Sequence, residues 1–141
     1  MNIDSLAFSL RSIISGLHKT LRKKMPLDTA LSLTELETIG LISRNGSMLP
    51  SELALHTKIT MPSMSQILKK MEKGGIIQKK SSLKDRRKIL ISLTALGKKK
   101  VEEVQASKNE LIKQLIQTKL TTEEIEVLKQ AVPILQKLNS I

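Results

Sequence analysis

Cysteine, tryptophan and tyrosine are all absent from the 141 residues, and Phe8 is the single aromatic. Without cysteine the chain can form no disulfide staple, thiolate zinc site or thiol redox sensor of its own, and a reducing cytoplasm is the compartment expected. Without aromatics the core has to be built from Leu, Ile, Val, Met and Ala, which suits packed helices. The aromatic platforms on which RNA readers usually stack bases are missing as well. Long apolar runs are also lacking. No stretch approaches the length that crosses a bilayer, and Met1-Asn2-Ile3-Asp4 opens the chain without the basic and apolar regions of an export signal. A soluble, unexported chain with no membrane partner is expected, of a length that fits one domain.

Catalytic constellations are equally scarce. No nucleophile is paired with a base by any recognisable motif, and no glycine loop of the phosphate-cradling kind occurs. His18 and His56 stand alone, without clustered carboxylates, and read as surface residues or local donors. Glu102-Glu103 and Glu123-Glu124 read as helix surface or capping groups. No enzyme activity, metal or cofactor is expected.

What the chain does have is positive charge, unevenly spread. Its formal net charge is +11, and residues 58–100 hold thirteen Lys and Arg against Glu72 and Asp85, so this one segment carries the whole excess. A basic segment between neutral flanks favours a polyanionic partner.

Apolar periodicity supplies the frame. Ile3, Leu6, Leu10, Ile13, Leu17 and Leu21 recur at three and four residue spacings, the stripe of one long helix, which Pro26 and the stretch 27–33 should break. Thr34 with Glu37 three residues on has the reciprocal capping pattern and should open a second helix, stopped at Asn45-Gly46-Ser47. A short third helix is expected from Pro50 or Ser51 to about His56. A fourth runs from the N-cap Thr60 to Gly74-Gly75, with Met64, Ile67, Leu68 and Met71 inward. Pro62, Gln66, Lys69 and Lys73 fall on its opposite face, with Ser63, Ser65 and Lys70 along the margins. Segments 76–80 and 88–93 read as two paired strands, and the loop between them is too long for a tight hairpin, so it should project. After Thr94 and Gly97 comes a long helix, and Thr121 with Glu124 caps a last one that Pro133 should kink or divide.

Short helices followed by a basic hairpin are what duplex recognition needs: a helix fits the major groove, and a second helix braces it across the phosphates. On the fourth helix, serine hydroxyls suit phosphates, Gln66 can bond adenine through both amide atoms, and Lys69, Lys70 and Lys73 bring charge. The loop Lys84-Asp85-Arg86-Arg87-Lys88 could enter a minor groove, with Asp85 orienting a neighbouring guanidinium. Candidate DNA-binding residues are therefore Ser51, Thr60, Pro62, Ser63, Ser65, Gln66, Lys69, Lys70, Lys73, Lys84, Asp85, Arg86, Arg87 and Lys88.

This order of elements resembles the multiple-antibiotic-resistance regulator (MarR) family along essentially the whole chain. The most specific likeness runs from Lys84-Asp85-Arg86-Arg87-Lys88 through Leu93-Thr94-Ala95-Leu96-Gly97, similar to the family's wing of Asp, variable residue and Arg followed by Leu-Thr-x-x-Gly. Pro50-Ser51-Glu52-Leu53-Ala54 and the stretch from Ile59-Thr60 to Ile76-Ile77 resemble its two helix-turn-helix segments. The resemblance implies a mainly α fold with a small β-hairpin wing, in which 34–93 form the winged helix-turn-helix and 1–33 and 94–141 the dimerisation helices of a single MarR-like domain. It also implies double-stranded DNA and a second copy of the chain as partners, with room for a small-molecule effector of unspecified identity, and the work of a transcription regulator, a repressor on a near-palindromic operator. Arg87 would be the wing-tip residue in the minor groove, Asp85 its partner, and Arg86 and Lys84 phosphate contacts. The chain departs from the pattern in three ways. Ser82-Leu83 stands where Asp-Pro often begins the wing, Gln66 stands where arginine is frequent, and neither a peroxide-sensing cysteine nor the phenol and indole lining of an aromatic-ligand pocket is available. The other function weighed is a basic architectural or RNA-associated protein without a defined operator.

Overall fold

The computed structural model describes residues 1–24 and 31–139. Six helices and a small sheet follow in the order α1 (Ile3–Lys24), α2 (Leu33–Asn45), β1 (Ser47–Met48), α3 (Pro50–Thr57), α4 (Met61–Lys73), β2 (Ile77–Ser81), β3 (Ile89–Leu93), α5 (Ala95–Lys119) and α6 (Thr122–Gln136), with a 3-10 turn at Lys137–Asn139. The break expected at Pro26 and most of the stretch after it lie outside the described residues. The chain divides into two compact units, 27–105 and the pair of segments 1–26 and 106–141, with α5 contributing its first part to one and the remainder to the other.

Within 27–105 the core is one aliphatic cluster. Ile39 and Ile42 from α2, Leu53 from α3, and Met64, Leu68 and Met71 from α4 are buried together with Met48, Ile77 and Ile91 from the strands. The apolar stripe expected for α4 is the stripe that is buried, with Ile67 at its half-exposed edge. The sheet has three antiparallel strands in the order β1-β3-β2, not the hairpin alone. The added strand is two residues long, pairing Ser47 with Ser92 and Met48 with Ile91, and it places Met48 in the core.

The start of α2 differs from the Thr34 expectation. Ser32 is the N-cap and its hydroxyl accepts from the Glu35 amide at 3.2 Å. Ser32-x-x-Glu35 and Thr34-x-x-Glu37 offer the same capping pattern in two overlapping registers. The earlier one prevails, leaving the Thr34 carbonyl inside the helix as acceptor for the Thr38 hydroxyl. Glu35 does not complete the reciprocal box, because its side chain turns inward.

The Leu93-Thr94-x-x-Gly97 motif has a packing explanation. The Thr94 amide donates to the Ile76 carbonyl, its hydroxyl lies against the Gly75 and Ile76 carbonyls, and that hydroxyl accepts from the Gly97 amide, so Thr94 ties the end of α4 to the first turn of α5. The first turn of α5 then runs so close to Ile76 that a Cβ at Gly97 would sit 2.2 Å from the Ile76 carbonyl oxygen. Only glycine fits there.

In the other unit, Thr121 caps α6 with the reciprocal pattern expected: its hydroxyl accepts from the Glu124 amide and the Glu124 carboxylate from the Thr121 amide. Helix α6 is not divided at Pro133 but runs on to Gln136. The proline removes a single amide donor one turn from the helix end, where few further bonds depend on it. Neither α1 nor α6 has a buried residue.

Candidate nucleic-acid interface

The pair α3 and α4 is joined by a tight turn. Lys58 adopts a left-handed conformation (φ 58°), the Ile59 amide donates to the Ala54 carbonyl, and Thr60 then caps α4. The Thr60 hydroxyl accepts from the Ser63 amide at 3.3 Å and donates to the Ser63 hydroxyl at 3.0 Å. Two of the candidate DNA-binding hydroxyls thus hold each other at the helix start. Pro62 occupies the first turn, where its missing amide costs no bond.

Pro62, Gln66, Lys69 and Lys73 recur at i, i+4, i+7 and i+11 and are all exposed, so the sequence-expected outer face is open to solvent. Ser51, on the first turn of α3, and Ser65 are exposed too. Lys70 behaves differently. Its ammonium donates to the Glu35 carboxylate at 3.0 Å, bridging α4 to the first turn of α2. Glu35 was not singled out in the sequence, since a glutamate in the first turn of a helix ordinarily signals only a favourable dipole contact. Glu72, the one acid on α4, lies 3.6 Å from Lys79 on β2.

Residues 82–88 form the projecting loop between β2 and β3. The Ser82 amide donates to the Lys88 carbonyl at its base, and the Lys88 amide closes a turn on the Asp85 carbonyl. Asp85 organises the tip. One carboxylate oxygen accepts from the Arg87 amide at 3.0 Å and from its Nε at 3.2 Å, and the other lies 3.5 Å from a terminal guanidinium nitrogen. The Arg87 side chain is 92% exposed while Asp85 is partly covered. The geometry is that of an arginine aimed outward by a carboxylate behind it. Lys84, Arg86 and Lys88 are exposed on the same loop, and among the described residues none of the three has an ion-pair partner.

Elsewhere in this unit a cavity of about 510 Å³ is lined by Ser43, Gln78, Ser92, Lys98, Glu102 and Gln105 with Ile42, Leu93 and Val101. Its lining is aliphatic and polar. His18 and His56 are both exposed, and no described helix is long and apolar enough to cross a membrane.

Residues 31–89 match the model of the MarR family. An HTH-type transcriptional regulator of Mycobacterium leprae is 23% identical over 133 residues, covering 94% of this chain and 92% of that protein. The HTH-type transcriptional regulator FarR of Neisseria gonorrhoeae is 33% identical over 66 residues, 47% of this chain and 45% of its own length. Among solved structures, a Pseudomonas aeruginosa protein assigned as a transcriptional regulator superposes with a TM-score of 0.81 at 26% identity, covering 97% of this chain and 94% of that one. A variant of Staphylococcus aureus MepR bound to an oligodeoxyribonucleotide shares the fold, with a TM-score of 0.65 at 23% identity over 94% of this chain and 97% of its own.

Proposed function

We propose that this chain is a MarR-family DNA-binding transcription regulator, acting in the cytoplasm as a homodimeric repressor on a near-palindromic duplex without catalysing a reaction. The match of residues 31–89 and relatives that are HTH-type transcriptional regulators support this reading. The observation that carries this reading is the pairing of an exposed Gln/Lys face on α4 with a wing whose Arg87 is held outward by Asp85. In this reading α4 lies in the major groove with Gln66 toward base edges, and Arg87 enters the adjacent minor groove. Lys69, Lys73, Lys84, Arg86 and Lys88 neutralise phosphates, while Ser51, Pro62, Ser63 and Ser65 fix the approach of the two helices. Thr60 serves through the cap it provides at the start of α4.

The second copy follows from what the helices leave uncovered. Leu6, Ile13 and Leu17 on α1 and Leu128 and Leu135 on α6, with Leu138 just beyond it, are exposed in the single chain, and large apolar side chains left open at helical spacing are what a partner surface would cover. A two-fold axis through these faces would bury them and present two α4 helices to two half-sites.

Selection from a pool of random duplexes, repeated at low and high salt, tests the proposal. Enrichment of an inverted repeat that survives the higher salt is the expected result, and Gln66→Ala should flatten base preference at one position of each half-site. Retention of single strands or structured RNA as readily as duplex would instead identify a basic nucleic-acid binder without an operator.

A further inference from the structure

Of the cations on α4, Lys70 alone is committed inside the protein. Its side chain is 68% exposed, yet the oxygen it meets belongs to a Glu35 carboxylate that is only 5% exposed. The other oxygen of that carboxylate is buried, with no hydrogen-bond partner among the described residues. Among the described residues, Lys70 is thus the only cation within ion-pair distance of a carboxylate that the fold has already taken out of water. The two residues lie 35 positions apart, so the bridge also ties the first turn of α2 to the last turn of α4.

We infer that Glu35 is a specificity-determining positioning residue, which holds Lys70 away from the DNA phosphates and so keeps one cation of the recognition helix out of non-specific binding. The inference rests on the proposed role of α4 as that helix. Two partners compete for Lys70, and the physics favours the internal one. A phosphate on a duplex that loses one lysine recovers a counterion from solution, whereas Glu35 has no solvent to fall back on and only one oxygen satisfied. An ion pair with a desolvated carboxylate is also strengthened by its surroundings, while an exposed contact to phosphate is screened by salt. Lys69 and Lys73 carry no such tether: both are exposed on the outer face, and among the described residues neither has an ion-pair partner. Electrostatic attraction that is blind to sequence raises operator and random binding together, so withholding one cation per subunit favours discrimination over affinity.

The test is the slope of log affinity against log salt, measured with one selected operator and one unrelated duplex. Lys69→Gln should lower the slope by about one unit per subunit, as expected for a phosphate contact. Lys70→Gln should leave it unchanged. Glu35→Gln should free Lys70, steepen the slope by about one unit per subunit and tighten binding to the unrelated duplex several-fold, narrowing the ratio between the two DNAs. A purely structural role for Glu35 would weaken binding to both duplexes without steepening the slope, and that result overturns the inference. So does a loss of slope in Lys70→Gln equal to that in Lys69→Gln, a measurement on an exposed residue that stands even where Glu35→Gln folds poorly. A slope unmoved by Lys69→Gln and Lys73→Gln together overturns the DNA reading of α4 itself, an outcome distinct from the failure of the Glu35 assignment.

Discussion

The unit 27–105 and the unit built from 1–26 and 106–141 differ most in what they bury. Among the described residues, all thirteen of the hydrophobic cluster, from Ile39 to Val101, lie in the first, whereas α1 and α6 of the second bury nothing. Yet α1 is as regularly striped with leucine and isoleucine as any core helix. The proposed dimer gives that exposed stripe a partner surface to pack against. In the proposed dimer, the first unit is finished by its own sequence and the second by a second chain.

The largest expected effect follows from breaking the second unit alone. Ile13→Asp combined with Leu135→Asp places two charges on the exposed stripes, and burying them at a subunit contact should cost about 4 kcal/mol or more of association energy. Sedimentation at micromolar concentration is expected to give the mass of one chain, with operator binding lost as well. A dimer that survives both charges would remove α1 and α6 from the interface.

Gly97→Ala attacks the first unit with comparable force. Because the added Cβ would meet backbone at Ile76 and not a flexible side-chain end, the strands and α5 have to move apart, an overpacking cost of about 3 kcal/mol. Denaturant unfolding at fixed protein concentration reads this directly. A midpoint equal to that of the unaltered protein would mean that α5 tolerates a different approach to the sheet.

At the wing the effect is on binding and not on folding. Arg87→Ala should weaken operator affinity by about 2 kcal/mol while leaving thermal stability intact, because an exposed loop tip contributes little packing. Asp85→Ala should also weaken it, by about 1 kcal/mol, although it removes a negative charge facing DNA. The two losses should not add, since Asp85 acts through the guanidinium it aims. Tighter binding by Asp85→Ala would show that the carboxylate merely repels phosphate.

How much of this could be read beforehand depends on whether neighbours in sequence or neighbours in space decide it. The stripe of α4, its Thr60 cap, the Thr121–Glu124 box and the projecting loop all rest on spacings of two to four residues, and each is present. Strand β1 was missed because two residues carry no period, and its existence depends on Ser92 and Ile91 more than forty positions away. Two capping registers overlapped at the start of α2, and the one adopted is the one that places Glu35 beside Lys70. The left-handed Lys58 gave no signal, since lysine is seldom found there and no glycine marks the turn. For the candidate site, the exposure of Gln66 and Lys69 and the pairing of Asp85 with Arg87 follow from local pattern. The capture of Lys70 does not, because a buried glutamate looks like any other helix-surface acid until its partner arrives.

The smallest effect gives the sharpest contrast between the two units, because it uses the same residue in the same role. Thr60 and Thr121 are both N-caps, with hydroxyls accepting from the third amide on at 3.3 and 3.2 Å. Replacing either by alanine should cost about 1 kcal/mol of stability, the usual worth of a threonine cap. Their consequences for DNA should diverge. Losing the Thr60 cap frays the first turn of α4, where Pro62 and Ser63 frame the approach to the groove, so operator affinity should fall by a further factor of several. Losing the Thr121 cap loosens a helix in the other unit, and at protein concentrations well above dimer dissociation the affinity per dimer should not change. Paired measurements of unfolding midpoint and operator affinity on Thr60→Ala and Thr121→Ala decide the matter. Equal losses of affinity at equal losses of stability would mean that the helical unit shapes the reading surface as directly as the winged unit does, and the division of labour between them would have to be abandoned.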